Sequence, residues 1–173
     1  MASTQQKFEG IFRGSILGTT INKHVAYIGL ADKRAQGIIT INAILIPLSL
    51  NGLNNPMFKA GAIIVVLTAI LSIATAIFSL YPRSYQHTHE SKTPDLLHFR
   101  KIASMSEAKY MEEMKKMTKT PNKLTELMIQ DLYHISRIIV TPKYDMLKKS
   151  YFIFLVGNSL ALLLILGAEI GVF

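Results

Sequence analysis

The side chains in this sequence best equipped for chemistry are the cations and rings His98, Arg100, Lys101, Tyr110, Arg137, Lys143 and Tyr144, gathered in one stretch of the chain. The chemistry they suit is recognition of a small anion. A guanidinium fork holds a phosphate through two parallel hydrogen bonds, an ammonium adds a point charge, and a tyrosine ring stacks on a base. Any one of them equally suits a solvated helix face or a contact with anionic lipid, and that plainer reading stands beside the first. Catalysis has no matching set. His87 and His89 make a pair without the third ligand that zinc needs. The chain has no cysteine, so it holds no thiol nucleophile, disulfide or cysteine-based metal site. Gly10, Gly14 and Gly18 follow no strand pattern and make no phosphate loop, and Ser104 and Ser106 lack the Gly-x-Ser-x-Gly context. The expectation is a binding protein and not an enzyme, with no metal and no cofactor.

A second polar group sits where the chain turns apolar. Ala31-Asp-Lys-Arg-Ala35 is followed by Asn42, which places Asp32 and Lys33 at a boundary and an amide inside an apolar run. An asparagine in hydrocarbon seeks a partner on another helix, worth about 0.6–2 kcal/mol. Helix association is favoured for it over a conducting path. Asp32 and Lys33 are interfacial anchors, or Asp32 pairs with Lys143 or Lys148 and so couples the flanking helices to the apolar ones.

Three uncharged stretches set the frame for these residues. Residues 60–82 run for 23 residues between Lys59 and Arg83 without a charge. About 20 apolar residues cross the ~30 Å hydrocarbon layer as a helix. The stretch 150–168 lies between Lys149 and Glu169, and 35–58 has its apolar part at 38–53, interrupted by Asn42, Pro47, Ser49 and Asn51. Residues 60–80 are apolar around the whole helix, unlike a water-soluble helix, and a chain of 173 residues lacks the volume to hide three such helices. The fold class is therefore all-α: a membrane protein of three transmembrane helices, the first two a hairpin. Its parts are an N-terminal region over 1–34, spans over 35–55, 60–80 and 151–170, and a helical region over 81–150.

Charge gives the orientation. Residues 1–36 carry five basic and two acidic side chains, and residues 81–150 carry thirteen and eight. The loop before the second span has Lys59 alone, and the tail after the third has Glu169. The positive-inside rule then puts the N-terminus and 81–150 in the cytoplasm and the C-terminus outside. The net charge of +8 is the kind expected beside anionic lipid, and nucleic acid is not an expected partner. Charges spread through the first 34 residues exclude a signal peptide.

Local signals fill in the rest. Residues 1–14 read as a loose tail. Leu17, Ile21, Val25 and Ile28 have helical spacing, and Asn51–Pro56 is a turn. Pro47 should kink the first span. Leu96–Ala103 reads as a short extended or helical piece. Ser104 and Glu107 have capping-box spacing for a helix over 105–118, and Thr120-Pro121 opens another. Pro142 should interrupt that helix near its end. The amphipathic helices must bury their apolar faces against each other, the 17–34 helix or a neighbouring subunit; with Asn42 they leave more surface than one protomer covers, so a homo-oligomer is expected.

In this order the segments resemble the transmembrane effectors of the Pycsar antiphage system, a domain also seen beside other bacterial defence cyclases. The matching parts are Ala31–Ala43, Leu96–Ser104 with Tyr110, and Ile129-Gln-Asp-Leu-Tyr133 with Ile138, Lys143 and Tyr144, spread over roughly residues 16–165. Where that family often has Gly-Asp after the phenylalanine this chain has Arg100-Lys101, and Thr141-Pro142 replaces residues that would continue a helix. The resemblance implies an inner-membrane effector that senses a cyclic nucleotide (cyclic CMP, cyclic UMP or a relative) made on phage infection and then impairs the membrane. The alternatives are a scaffold subunit that binds no nucleotide and a constitutive holin-like pore former.

Overall fold

The computed structural model describes residues 2–81, 96–97 and 102–170, with backbone alone for 2–8 and 121. Among the described residues five α-helices are assigned: α1 (Ala2–Gly52), α2 (Pro56–Leu80), α3 (Glu107–Thr118), α4 (Pro121–His134) and α5 (Thr141–Glu169). A π-helical turn, Ile135–Val140, joins α4 to α5. There is no strand among these residues. Three of their helical runs, 9–52, 56–80 and 122–169, are long and apolar enough to cross a membrane. Contacts divide the chain into two units, 1–27 with 83–140 and 28–82 with 141–173.

The second unit contains the apolar lengths of α1, α2 and α5, and its interior is small. The faces turned inward carry Ala31, Ala35, Ile38 and Asn42 on α1, and Gly61, Ala62, Thr68, Ala69, Ser72, Ala76 and Ser79 on α2. Those of α5 carry Leu147, Ser150 and Ala161. Large side chains point the other way: Ile44, Leu48, Leu67, Leu71, Phe78, Phe152, Leu155 and Leu163 are all more than half exposed. A water-soluble bundle buries its leucines. Here they are left outward, and helix association rests on close backbone approach through small residues. The closest approach is at Gly157, where an added Cβ would overlap the Thr68 side chain, and at Gly61, where it would meet Ile165 and the Ala161 carbonyl. Toward one end Ala31, Ala35, Ile38, Ala76 and Leu147 form a cluster, with Tyr144 and Phe154 packed on it.

The α1–α2 turn follows its sequence signal. Asn55 caps α2, its side-chain oxygen accepting from the Met57 N–H at 3.0 Å, and Pro56 is the first helical residue. That N–H is one of the donors a helix start leaves unpaired.

The first unit packs α3 against α4 beside residues 9–27 of α1, burying Leu96 and Leu127. Thr120 and Pro121 open α4 as expected, although the threonine side chain makes no capping bond. Three expectations need correction. Residues 2–14 are helical, not loose, because nothing in that stretch breaks the helix that Leu17 and Ile21 continue. The third helix starts at Glu107 behind Ser106, not at 105 behind Ser104. Pro142 does not interrupt the chain's helix: α4 passes through the π turn directly into α5. Proline leaves the carbonyl four residues back without its donor. Here Pro142 is the second residue of α5, directly after the π turn, and the helical run continues through it.

Gly157→Val should therefore damage the α2–α5 contact. The expected loss is about 1–3 kcal/mol from overpacking, read as a lower unfolding temperature in mild detergent. Leu163→Val, on the outward face, should leave that temperature unchanged. Equal behaviour of the two variants would refute this packing.

Candidate functional site

Two sets of polar side chains stand out, one in each unit. The set in the second unit is a knot tying α1, α2 and α5. Asn42, fully buried, donates from Nδ2 to the Ile38 carbonyl at 2.8 Å and to the Ser72 hydroxyl at 3.1 Å. The Ser72 hydroxyl donates to the Ser150 carbonyl at 3.1 Å, and the Ser150 hydroxyl returns a bond to the Ser72 carbonyl at 2.8 Å. Both amide hydrogens of Asn42 are thereby used, while its Oδ1 has no partner among the described residues. An unpaired buried acceptor costs about 1–3 kcal/mol.

Nearer the start of α5, Lys143 pairs with Asp32. Of the two partners expected for Asp32, it takes Lys143. The Lys143 side chain is only 11% exposed, and the Asp32 side chain 34%. The Ser79 hydroxyl donates to the Lys143 carbonyl at 3.0 Å, so α2 is tied to the same point. Removing one partner from a buried pair leaves an uncompensated charge, which is far costlier than the pair itself is stabilising. Lys33, in contrast, is exposed. Tyr144 is half-buried against the Ala31–Leu147 cluster.

The set in the first unit lies on α4 and the π turn. Arg137 is exposed, donates to the Tyr133 hydroxyl at 2.6 Å, and holds its guanidinium carbon 5.9 Å from the centre of that ring. Their four-residue separation puts them on one face. The contact holds the guanidinium in place, and only one of its five N–H donors is needed for it. Tyr110 is half-buried on α3. His98, Arg100 and Lys101 lie outside the described residues. Of the cations expected to hold an anion, then, Lys143 is occupied by Asp32 while Arg137 faces solvent.

Some other charges in this unit are matched locally. Lys116 bridges Glu112 at 2.7 Å and Glu113 at 3.4 Å. Its hydrogen bond lowers the Glu112 carboxyl from the usual range, and the same bond raises the Lys116 ammonium. Burial lowers the His134 imidazole, which favours its uncharged form.

Sequence reading missed several of these residues. Ser72 and Ser150 look like tolerated hydroxyls in apolar runs, and the signal that identifies them is register. Ser72, Ala76 and Ser79 fall at helical spacing on the small-residue face of α2. His24 was also passed over: its Nδ1 donates to the Thr20 carbonyl at 2.8 Å, and Nε2 meets the Ser136 hydroxyl at 2.7 Å. A cleft of about 680 Å³ in the same unit is lined in part by Arg13, Gly14, Leu17, Thr120, Asn122 and Met128, a size typical of small-ligand pockets.

Comparison with known proteins places these features in a family. The family model described as Pycsar effector protein domain matches residues 16–168. The Pycsar effector protein SaPycTM of Staphylococcus aureus is 28% identical over 139 residues, covering 77% of this chain and 82% of that protein. No solved structure gives a significant match.

The knot makes a thermodynamic prediction. A double-mutant cycle of Asn42→Ala and Ser72→Ala, followed by unfolding in detergent, should give a coupling of about 0.6–2 kcal/mol. Strictly additive effects would mean the two side chains do not bond.

Proposed function

We propose that this chain, which belongs to the Pycsar effector protein domain family, is an effector of bacterial antiphage defence that senses a cyclic nucleotide and impairs the inner membrane. The observation that carries this reading is the extent of the family match, from residue 16 in α1 to residue 168 in α5. It takes in both units. A cyclase product such as cyclic CMP or cyclic UMP is the ligand in this account, and the protein carries out no reaction of its own.

Charge supports a cytoplasmic N-terminus and a cytoplasmic 81–150 region, with the C-terminus outside. On that orientation the first unit faces the compartment where a nucleotide messenger is made. A cyclic mononucleotide carries one phosphate charge, and Arg137 is an exposed cation held against Tyr133. The guanidinium supplies the phosphate contact and the tyrosine ring a surface for the base. Arg100, Lys101 and Tyr110 are further members of the site. Asp32, Lys143, Lys33 and Tyr144 hold the spanning bundle at its cytoplasmic end. Exposed apolar side chains on the first unit, among them Ile11, Phe12 and Ile129, support a homo-oligomer, and the outward leucines of the second unit contact lipid.

A ligand shifts a protein between two arrangements only by its differential affinity for them. Titration of the purified full-length protein with cyclic CMP and cyclic UMP should show saturable binding. Losing a charge-assisted phosphate contact costs about 1.5–3 kcal/mol, so Arg137→Ala should weaken binding roughly tenfold to hundredfold. In cells it should lose the growth arrest caused by the cognate cyclase while still inserting. Unchanged binding by Arg137→Ala would move the site elsewhere. No binding by the parent would favour the scaffold reading, and arrest without any cyclase the holin-like one.

A further inference from the structure

Among the described residues the buried polar side chains are Asn42, Thr68, Ser72, Ser79 and Ser150, and all five lie in the spanning unit. On α2 they form one line. Ser79, Ser72 and Thr68 are separated by seven and four residues, about 16 Å in total along the axis, roughly half the hydrocarbon thickness. The Asp32–Lys143 pair stands at the Ser79 end, linked through the bond from Ser79 to the Lys143 carbonyl. Past Thr68, which faces Gly157 of α5, the same face continues as Ala62 and Gly61, with Gly61 opposite Ala161 and Ile165. From the ion pair to Gly61 every fully buried side chain of α2 is therefore small. The face is sealed by direct helix contact, with Ile165 against Gly61 at the far end.

Such a seam is more polar than helix association requires. The alanines and glycines alone would give close packing, yet hydroxyls and an amide recur along it. Asn42 Oδ1 is buried with no donor among the described residues, so the sealed arrangement leaves one polar atom that water would satisfy. We infer that this seam is the closed form of the leak path and that the Asp32–Lys143 pair is its gate. The inference rests on the reading of the protein as one that impairs a membrane. Parting α1 and α5 from α2 would expose hydroxyls, an amide and backbone along α2 and α1, while the bulky Ile38, Leu147 and Ile165 move away on α1 and α5. Its walls are neutral and its mouth carries one charge of each sign. The solutes it takes are therefore water and small monovalent ions of either sign, not metabolites.

The absence of cysteine provides a clean test. Ser72→Cys is nearly isosteric and makes the only thiol in the chain. The full protein is reconstituted in lipid vesicles and measured without nucleotide, so a failure of sensing cannot be confused with a failure of the path. Asp32→Lys, placing two cations together, and the milder shape-conserving Asp32→Asn each break the gate. Either should raise potassium flux roughly tenfold or more over the parent, the scale of losing one charge-assisted contact. The exchanged pair Asp32→Lys with Lys143→Asp should restore tightness. In the leaking background a charged, membrane-impermeant thiol reagent should label Ser72→Cys but not Leu71→Cys on the lipid face. Vesicle-trapped calcein should be retained. Flux equal to the parent in the Asp32→Asn protein, flux with Ser72→Cys unlabelled, or escape of calcein would each overturn the inference.

Discussion

The structure depends on the meeting of α2 and α5 through side chains small enough to bring two backbones together. Lipid is as apolar as leucine, so burying leucines gains nothing inside a bilayer. The chain puts Thr68 against Gly157 and Ile165 against Gly61, and leaves most of its large residues outside. Close approach is also what allows Ser72 and Ser150 to reach each other's carbonyls. With larger side chains in those rows, neither serine would find an acceptor on the other helix. Asn42 then joins α1 to the pair through one bond to Ser72. Packing and polar pairing are therefore one interaction here.

Much of this was legible in the sequence. The spans show because lipid tolerates no alternation of polar and apolar faces, and 60–80 has none. The α1–α2 turn shows because Asn55 and Pro56 each do a job that few other residues can do. Asn42 shows because an amide is conspicuous among aliphatics. Ser72 and Ser150 do not, since a hydroxyl can bond back to its own helix, as Thr75 does to the Leu71 carbonyl. Only their register against the small face distinguishes them. The helix at 2–14 was hidden because glycines and polar residues weaken a helix without forbidding it. Pro142 misled because it sits in the first turn of α5, directly after the π turn, and the helical run continues through it.

The candidate site was legible as composition and less so as arrangement. Lys143 and Arg137 look alike in sequence, both basic and six residues apart. One is held by Asp32 and nearly buried, and the other is exposed over Tyr133. Sequence offers no way to tell a cation spent on an internal carboxylate from one left exposed. The two residues also fall in different units. Arg137 belongs to the first unit, and Lys143 to the bundle, with one continuous helical run carrying both.

The central claim is that a cyclic nucleotide, acting on this chain alone, makes a membrane leak. It is tested most directly with the purified parent protein in vesicles that contain no other protein. Ion flux should begin when a cyclic pyrimidine mononucleotide is added and remain at baseline with the corresponding linear monophosphate. Flux that is equal with both, or a tight membrane while the cyclic nucleotide demonstrably binds, would contradict the account.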